Sequence, residues 1–295
     1  MKSICFFSSY FNENKIPFYI QFYLDNLIPY FSEIIFLTNE KKLDIESEIF
    51  LKEKNIRLMY VANEGYDFGM WYKALMKYDV LEYDRIGLIN DSCILFTKPK
   101  TFFNWLDKTD FDYCGMVDSN AVSYHIQSFF LIINKKAIPE VYDYFRQYGI
   151  VKDIKNVINI YEVGLSQYLI NKGLKVGALH STKKYTGEYS PMFYMPEELI
   201  KKGLPLIKNK IIFSSFRKNE LNTLARMNFK IKPDFYIRLI KQYNPNTELI
   251  DFKKLDGNFD NRMNHYGKIE YNINRVYIQS LKYFYNLLKR GLNHP

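Results

Sequence analysis

Two stretches of the sequence place acidic and amide side chains where apolar runs end. NEGYDFGMW (63–71) follows IRLMYVA (56–62), and NDS (90–92) follows RIGLI (85–89). In an open α/β sheet, ligands bind beyond the carboxyl ends of the strands. Asp91 would then be a carboxylate on a rigid support, and Mg²⁺ or Mn²⁺ in phosphate chemistry needs such hard oxygen ligands. A turn aspartate that caps the following segment is the alternative.

The NEGYDFG segment carries side chains that suit a nucleotide. Gly65 relaxes the backbone between strand and helix, and Asn63, Glu64 and Asp67 can reach base or ribose edges. A helix start can also hold phosphate. Asp67 is equally suited to be the N-cap of the following helix, and one residue can serve both purposes.

A third carboxylate lies in YEVGLSQYLINKG (161–173). At helical spacing, Glu162 shares a face with Leu165 and Leu169. A carboxylate on an otherwise apolar face is costly unless it is paired or used in chemistry. The alternative is a glutamate at a helix N-terminus that interacts with the helix dipole, but the predicted helix begins before residue 161.

The elements that position these side chains alternate along the first half of the chain. This βαβαβαβ order predicts a parallel sheet with right-handed crossovers, and a later hairpin makes the sheet mixed. The predicted strands are 2–8, 33–39, 56–62, 85–89, 111–117, 125–134 and 174–180. The predicted helices are 17–31, 45–55, 68–78, 101–108, 139–149 and 156–173.

The charge of the chain is concentrated in its last third. Residues 1–199 carry 22 Lys and Arg against 25 Asp and Glu, a net charge of −3, whereas residues 200–295 carry 19 against 7, a net charge of +12. A basic segment suits the phosphates of nucleic acid, anionic lipid or a lipid-linked pyrophosphate. A solvated helical face is the alternative. Short basic helices are predicted at 218–227, 233–242 and 276–290.

Composition limits the classes of protein that this chain can be. With 295 residues, 47% of them hydrophobic, it can bury a large core. Its three cysteines form no CxxC pair and lie in or beside apolar runs, which predicts reduced core residues. We expect neither a signal peptide nor a membrane span, because the apolar runs are too short. Zinc, helix-turn-helix and RNP signatures are absent, so we expect no nucleic-acid partner.

Five motifs together resemble a known family. They are NEGYDFGMW, NDS, HIQSFF (125–130), YEVGLSQYLINKG and GLPLIK (203–208). In this order and spacing, residues 2–213 resemble the rhamnan-synthesis F-type family of bacterial polysaccharide glycosyltransferases and, more distantly, the inverting GT-A glycosyltransferases. The resemblance implies an α/β, GT-A-like (Rossmann-like), mixed and mostly parallel sheet flanked by helices. It implies a catalytic domain at 1–213, and the basic segment 214–295 is then a mainly helical C-terminal extension.

The resemblance also implies a cofactor and a base. GT-A enzymes bind a divalent cation, Mn²⁺ or Mg²⁺, through a DxD motif, and this sequence keeps one carboxylate of that motif, Asp91, within Asn-Asp-Ser. His180, at the end of the last predicted strand, corresponds to the place where such folds often supply a further metal ligand. Glu162 corresponds to the carboxylate that deprotonates the acceptor hydroxyl.

The remaining site residues follow from the same resemblance. The predicted nucleotide-sugar contacts are Ser9, Asn63, Glu64, Gly65, Asp67, Asn90 and Ser92. The predicted contacts with the acceptor or the donor sugar are Asp118, His125, Gln127, Ser128 and Lys208.

These observations predict a glycosyltransferase that moves a sugar from a nucleotide-sugar donor to a growing surface polysaccharide or lipid-linked glycan, with an inverting mechanism. A catalytically inactive GT-A-like module that binds glycan or a partner is the alternative. We expect a cytoplasmic protein, peripheral at the inner membrane face. The stretch 275–292 mixes apolar residues with lysine and arginine and can lie on an anionic membrane surface, or equally pack on the catalytic domain or a second subunit.

Overall fold

A computed structural model describes residues 1–11, 13–40, 42–182 and 190–209. Each of the seven predicted strands has a counterpart in it, and two short strands, at 93–95 and 206–208, were not predicted. The strands are Ser3–Ser9 (β1), Glu33–Thr38 (β2), Arg57–Tyr60 (β3), Arg85–Asn90 (β4), Cys93–Leu95 (β5), Tyr113–Ser119 (β6), His125–Ile126 (β7), Phe130–Asn134 (β8), Val176–His180 (β9) and Leu206–Lys208 (β10).

The helices alternate with these strands in the first half of the chain. The α-helices are Phe18–Leu27 (α1), Ile45–Glu53 (α2), Tyr66–Lys77 (α3), Lys100–Leu106 (α4), Ile138–Tyr148 (α5), Ile154–Val157 (α6), Leu165–Asn171 (α7), Pro191–Tyr194 (α8) and Pro196–Lys201 (α9). Short 3-10 helices cover Ile28–Tyr30 and Val80–Glu82, and a π-helical segment covers Ile158–Gly164.

Eight strands form one mixed sheet, as predicted. The order is β3-β2-β1-β4-β8-β6-β7, and β9 pairs with the other side of β6. The pairs β2–β3, β1–β2, β1–β4 and β6–β9 are parallel, whereas β8 is antiparallel to both β4 and β6, and β7 is antiparallel to β6. Strands β1, β4, β6 and β9 therefore share one direction, and their carboxyl ends lie at the same edge of the sheet.

Helices cover both faces of the sheet, which explains why its central strands are almost continuously apolar. Successive side chains of a strand point to opposite faces. In β1, Phe7 packs edge-to-face against Tyr23 of α1, with ring centroids 5.1 Å apart. Its neighbour Phe6 belongs to the other core layer, which contains the fully buried Trp71 of α3. All three cysteines are buried and free, as predicted.

Two predicted elements are irregular in the structure. The strand predicted at 125–134 is interrupted at 127–129, and β7 and β8 pair with different parts of β6. Gly115 makes this possible, because a Cβ atom there would lie 2.4 Å from Ile126 and 2.5 Å from the Phe130 carbonyl oxygen. The helix predicted at 156–173 begins earlier, at Ile154, and contains the π segment.

A separate two-stranded sheet contains the last strand of the described chain. Strand β10 pairs antiparallel with β5, so that Lys208 lies opposite Cys93. Within the described ranges, no helix combines the length and apolar character that a membrane crossing requires. The predicted domain boundary at 213/214 and the predicted basic helices lie outside the described residues.

Candidate active site

Polar side chains collect at the carboxyl edge of the sheet. Strand β1 ends with Ser8 and Ser9, β4 ends with Asn90, and β6 ends with Asp118 and Ser119. These positions are buried in an otherwise apolar sheet. Because the strands run in one direction, residues distant in sequence meet at this edge, as the sequence predicts for an open α/β fold.

Two glycines shape the loop that delivers Asp67 to this edge. Gly65, the N-cap residue of α3, has φ +76°, a left-handed conformation that favours glycine. A Cβ atom on Gly69 would lie 1.7 Å from the carbonyl oxygen of Glu64. The first turn of α3 can therefore pack against the backbone of the loop only because residue 69 has no side chain. The N-cap alternative for Asp67 is wrong, because Gly65 holds that position and Asp67 lies in the first turn.

The carboxylate of Asp67 is held from both sides. Ser8 Oγ donates a hydrogen bond of 2.9 Å to Oδ1, and Asn90 Nδ2 donates one of 2.8 Å to Oδ2. Burial raises the pKa of Asp67 to about 6, and the charge of Glu162 adds to this rise. The hydrogen bond from Ser8, the charge of Lys208 and the hydrogen bond from Asn90 oppose it. The carboxylate thus keeps an unusually high proton affinity in spite of two donors.

Asp91 stands directly after β4 and faces the same space. Ser9 Oγ donates a hydrogen bond of 2.7 Å to its Oδ2 atom, and its backbone N–H donates to the carbonyl oxygen of Ser8. The residue as a whole is partly exposed, although its carboxylate is desolvated. Burial raises the pKa of Asp91 to about 7, and the negative charge of Asp67 adds to that rise. Asp67 and Asp91 therefore form a repelling carboxylate pair, which a cation would stabilise.

Lys208 supplies a positive charge beside this pair. Its position follows from the β5–β10 pairing, which places its Nζ 3.2 Å from Ser92 Oγ and 5.1 Å from the ring centroid of Phe129. Ser92 in turn donates a 2.6 Å hydrogen bond to Asn90 Oδ1. The lysine head group is thereby held next to the Asn-Asp-Ser turn, where a negatively charged ligand oxygen could accept from it.

Sequence reasoning missed Asn209, which fixes the same turn. Its backbone N–H donates to the Ser92 carbonyl oxygen at 3.0 Å, and its Nδ2 donates to the Asp91 carbonyl oxygen at 3.2 Å. Its place directly after the GLPLIK motif was the available signal. Both bonds go to the backbone of the Asn-Asp-Ser turn, so Asn209 helps to hold Asp91 in place.

Glu162 lies across the site in the π segment. Ser128 Oγ donates a hydrogen bond of 3.1 Å to Glu162 Oε1, and the Ser128 backbone N–H approaches the same oxygen at 3.5 Å. The charge of Glu162 is among those that raise the pKa of Asp67. Asp67 therefore interacts electrostatically with both of the other predicted carboxylates, Asp91 and Glu162.

The predicted divalent cation fits Asp91 better than it fits the full predicted ligand set, which also contains His180. No group of three His, Cys, Asp or Glu side chains that could hold a metal occurs in the part of the chain that the structure describes. Mg²⁺ is usually bound by one or two carboxylates together with substrate phosphates. Asp91, which accepts one side-chain hydrogen bond, from Ser9 to Oδ2, fits such a ligand better than Asp67, whose two carboxylate oxygens both accept side-chain hydrogen bonds.

His180 is not brought next to Asp91. Strand β9, which it ends, is separated from β4 by β6 and β8. Burial, together with a smaller effect of the charge of Lys202, lowers the pKa of His180 to about 4, so the ring is neutral at pH 7. Its Nε2 atom is buried and has no hydrogen-bond partner among the described residues. A role of His180 as a metal ligand stays a prediction.

The predicted acceptor or sugar contacts form a second network farther along the edge. His125 Nδ1 donates to the Ser123 carbonyl oxygen at 2.8 Å, so its Nε2 accepts from Gln127 Nε2 at 3.1 Å. Gln127 Oε1 accepts from Ser190 Oγ. Thr182, through its N–H and its hydroxyl, donates to Asp118. Each of these side chains has a protein partner, and contact with a substrate stays a prediction.

The loop residues before α3 differ in their surroundings. Asn63 is exposed. Glu64 forms ion pairs with Lys73 at 3.1 Å and with Lys152 at 3.2 Å, and the hydrogen bond from Lys73 contributes most to lowering the pKa of Glu64. Glu64 thus ties the loop to α3 and to the segment before α6. Its predicted contact with a nucleotide would compete with these two lysines.

Comparison with known proteins places the chain in a family. The family model described as rhamnan synthesis protein F matches residues 34–293. The chain belongs to this family. It is also 30% identical over 164 residues to the virulence protein VirA of Vibrio anguillarum, an alignment that covers 51% of this chain and 49% of VirA. The chain thus matches about half the length of this curated relative.

Solved structures give only distant similarity. A cytidylyltransferase from Leptospira borgpetersenii is 12% identical with a TM-score of 0.43, covering 85% of this chain and 99% of that chain. A putative nucleotide-diphospho-sugar transferase from Desulfovibrio desulfuricans is 17% identical with a TM-score of 0.41, covering 82% of this chain and 99% of that chain. Similarity at this level transfers no function to the chain.

Proposed function

We propose that this family member is a glycosyltransferase that moves a sugar from a nucleotide-sugar donor to a growing bacterial surface polysaccharide or a lipid-linked glycan, with inversion at the anomeric carbon. One observation carries the proposal. Asp67, Asp91 and Glu162, which belong to three different sequence motifs, converge at the carboxyl edge of the sheet with Lys208 beside them. Membership of the rhamnan synthesis protein F family supports a role in polysaccharide synthesis.

In this proposal the donor pyrophosphate lies between Asp91 and Lys208. Asp91 would hold Mn²⁺ or Mg²⁺, which when bound neutralises charge on the leaving nucleoside diphosphate. Lys208 Nζ, now 3.2 Å from Ser92 Oγ, would turn to a phosphate oxygen, a charge-assisted bond stronger than the present one. Ser9 keeps Asp91 oriented through its 2.7 Å hydrogen bond.

Glu162 is the proposed general base. Ser128 donates to its Oε1 atom and so holds that oxygen in place. The proton of the acceptor hydroxyl would pass to Glu162 while the hydroxyl oxygen forms its bond to the anomeric carbon. The bond from that carbon to the diphosphate oxygen breaks on the opposite face, which inverts the configuration. A positioned base of this kind contributes roughly 10²–10⁴-fold to the rate.

An inactive GT-A-like module that binds glycan or a partner is the second candidate. Two observations favour it: the Asn-Asp-Ser turn has one carboxylate where a DxD motif has two, and His125, Gln127 and Asp118 are occupied by protein partners. The presence of Glu162 at the edge of the site favours the glycosyltransferase over the inactive module. Donor turnover separates the two candidates.

The experiment is a panel of UDP-, GDP-, dTDP- and CMP-sugars with and without Mn²⁺. A donor that binds the folded state raises the melting temperature by mass action, and the same mixtures are assayed for donor hydrolysis and for transfer. We expect one nucleotide class to stabilise the protein and to be turned over, with an inverted product. Stabilisation without any turnover would favour the inactive module, and the absence of stabilisation by every donor would refute nucleotide-sugar binding and with it the proposed enzyme.

The proposed location is the cytoplasmic face of the inner membrane. The support comes from the sequence alone, since residues 200–295 carry a net charge of +12. Each Lys or Arg near an anionic leaflet contributes about 1 kcal/mol, so a few of them give reversible, salt-sensitive attachment. A lipid-linked acceptor would be presented at that surface.

A further inference from the structure

The direction in which Glu162 points depends on an irregular turn of its helix. Helix α6, the π segment and α7 are continuous, because the flanking residues Val157 and Leu165 both have right-handed helical dihedral angles. In a π turn the backbone hydrogen bonds span five residues instead of four. One additional residue in a helix of 3.6 residues per turn rotates the side chains before it by about 100° relative to those after it.

Two residues outside the reaction itself shape this turn. The Tyr144 hydroxyl, from α5, donates a hydrogen bond of 2.8 Å to the carbonyl oxygen of Ile160. Gly164 leaves the space that this hydroxyl needs, since a Cβ atom at Gly164 would lie 2.8 Å from Tyr144 Oη and 2.7 Å from the carbonyl oxygen of Asn159. Tyr144 therefore enters the helix at a point that only glycine leaves open.

The turn decides where Glu162 lies. With regular α spacing, Glu162 would share the face of Leu165 and Leu169, both fully buried in the core. The π turn breaks that spacing, and Glu162 is instead half-buried with Oε1 at 3.1 Å from Ser128 Oγ. The shared face expected from the sequence assumed α spacing, which the π segment does not have. Within the same segment, Tyr161 stays in the core, stacked on Phe68 with ring centroids 5.1 Å apart.

We propose that Tyr144 and Gly164 are positioning residues for Glu162: the Tyr144 hydroxyl and the missing side chain of Gly164 hold the π turn that aims the carboxylate at the site. This inference rests on the proposed function, because it takes Glu162 as the base. The same two residues act through Glu162 and touch neither donor nor acceptor.

The test uses Y144F in the full chain, which removes the hydroxyl and keeps the ring that packs on Tyr148 and Tyr168. Y168F is the matched control, because its hydroxyl donates to Glu140 Oε2 and not to the π segment. With the nucleotide sugar that shows turnover in the panel, we expect Y144F to lower kcat about 10- to 100-fold with donor KM changed less than about twofold, since small misplacements of a catalytic group cost this much. Y168F should keep the wild-type kcat.

A double-mutant cycle separates positioning from general damage to the fold. If Tyr144 acts through Glu162, adding Y144F to E162Q should change the residual rate less than about threefold. Wild-type kcat in Y144F, or the same loss in both backgrounds, would overturn the proposal. Wild-type activity of E162Q would instead remove the base assignment and with it the proposed mechanism.

A second measurement needs no donor. In crystal structures of the two variants, we expect Glu162 to have left Ser128 in Y144F and to remain there in Y168F. A Y144F structure with the π turn and the Glu162–Ser128 hydrogen bond intact would refute the positioning role, whatever the kinetics. The folded G164A variant should show the same rearrangement as Y144F, since its added Cβ atom would occupy the space of the Tyr144 hydroxyl.

Discussion

Substitution of Asp91 by asparagine should abolish transfer and at the same time stabilise the protein at alkaline pH. The reason is that the folded state disfavours the ionised carboxylate, whose pKa is raised to about 7 by burial and by the charge of Asp67. In the unfolded chain the same group has a pKa of about 3.9. Below about pH 4 both states are protonated, so the group costs nothing.

The cost grows as pH rises from about 4 to about 7, because only the unfolded state gives up its proton freely there. With these two pKa values, the wild type loses about 2–3 kcal/mol of unfolding free energy between pH 5 and pH 8 through this one group. The amide of the D91N variant cannot ionise. The stability advantage of D91N over the wild type should therefore increase by about 2–3 kcal/mol over that interval.

Urea unfolding of both proteins at pH 5 and pH 8 measures this increase. D143N is the control, since Asp143 is exposed on α5 and pairs with Arg146 at the surface. Its effect on the unfolding free energy should be equal at the two pH values. If the stability advantage of D91N over the wild type does not change with pH, the Asp67–Asp91 pair is not desolvated as described. If D91N turns over at the wild-type rate, Asp91 does not hold the donor.

Three further outcomes are expected. E162Q should lose about 10²–10⁴-fold in transfer rate but keep donor affinity, because the amide preserves shape and removes the proton acceptor. K208M should weaken donor binding by about 10–100-fold in a titration, the value of one charged hydrogen bond, whereas K202M on the exposed end of α9 should not. The full chain should co-sediment with anionic but not neutral vesicles at low salt, and a chain cut before Arg275 should bind them more weakly.

For each of these three predictions, one result would contradict it. Retention of configuration at the anomeric carbon would exclude Glu162 as the base of a single displacement. Equal donor affinity in K208M and wild type would place the pyrophosphate elsewhere. A full chain that ignores anionic vesicles even at low salt would leave the basic segment with a structural role.

The sequence was sufficient where function depends on strand ends. Asp91 follows an apolar run, and parallel strands must end at one edge, so its proximity to Ser9 and Asp67 could be predicted from the order of the elements. The mixed sheet followed from the same reasoning. These inferences succeed because the hydrophobic pattern of a short segment identifies it as a strand or a helix, and the topology rules allow few arrangements of those elements in a sheet.

The sequence was insufficient where one segment is shaped by another far away. The π turn around Glu162 depends on a hydroxyl 16 residues before Ile160, and a pattern of 3.6 residues cannot show it. The break in the strand at 127–129 depends on Gly115 in a neighbouring strand. Lys208 reaches Ser92 only through a pairing of two three-residue strands, which carry too little pattern to predict.

The late position of β10 has a consequence for the order in which the site is completed during synthesis. Lys208 follows its partner Ser92 by 116 residues, which at about 5–20 residues per second corresponds to roughly 6–23 s. Throughout that interval the emerging chain holds Asp67 and Asp91 without their neighbouring cation, and the apolar strand Cys93–Leu95 has no β10 to pair with. We expect the nascent chain to leave this corner open until β10 has emerged and can pair with β5.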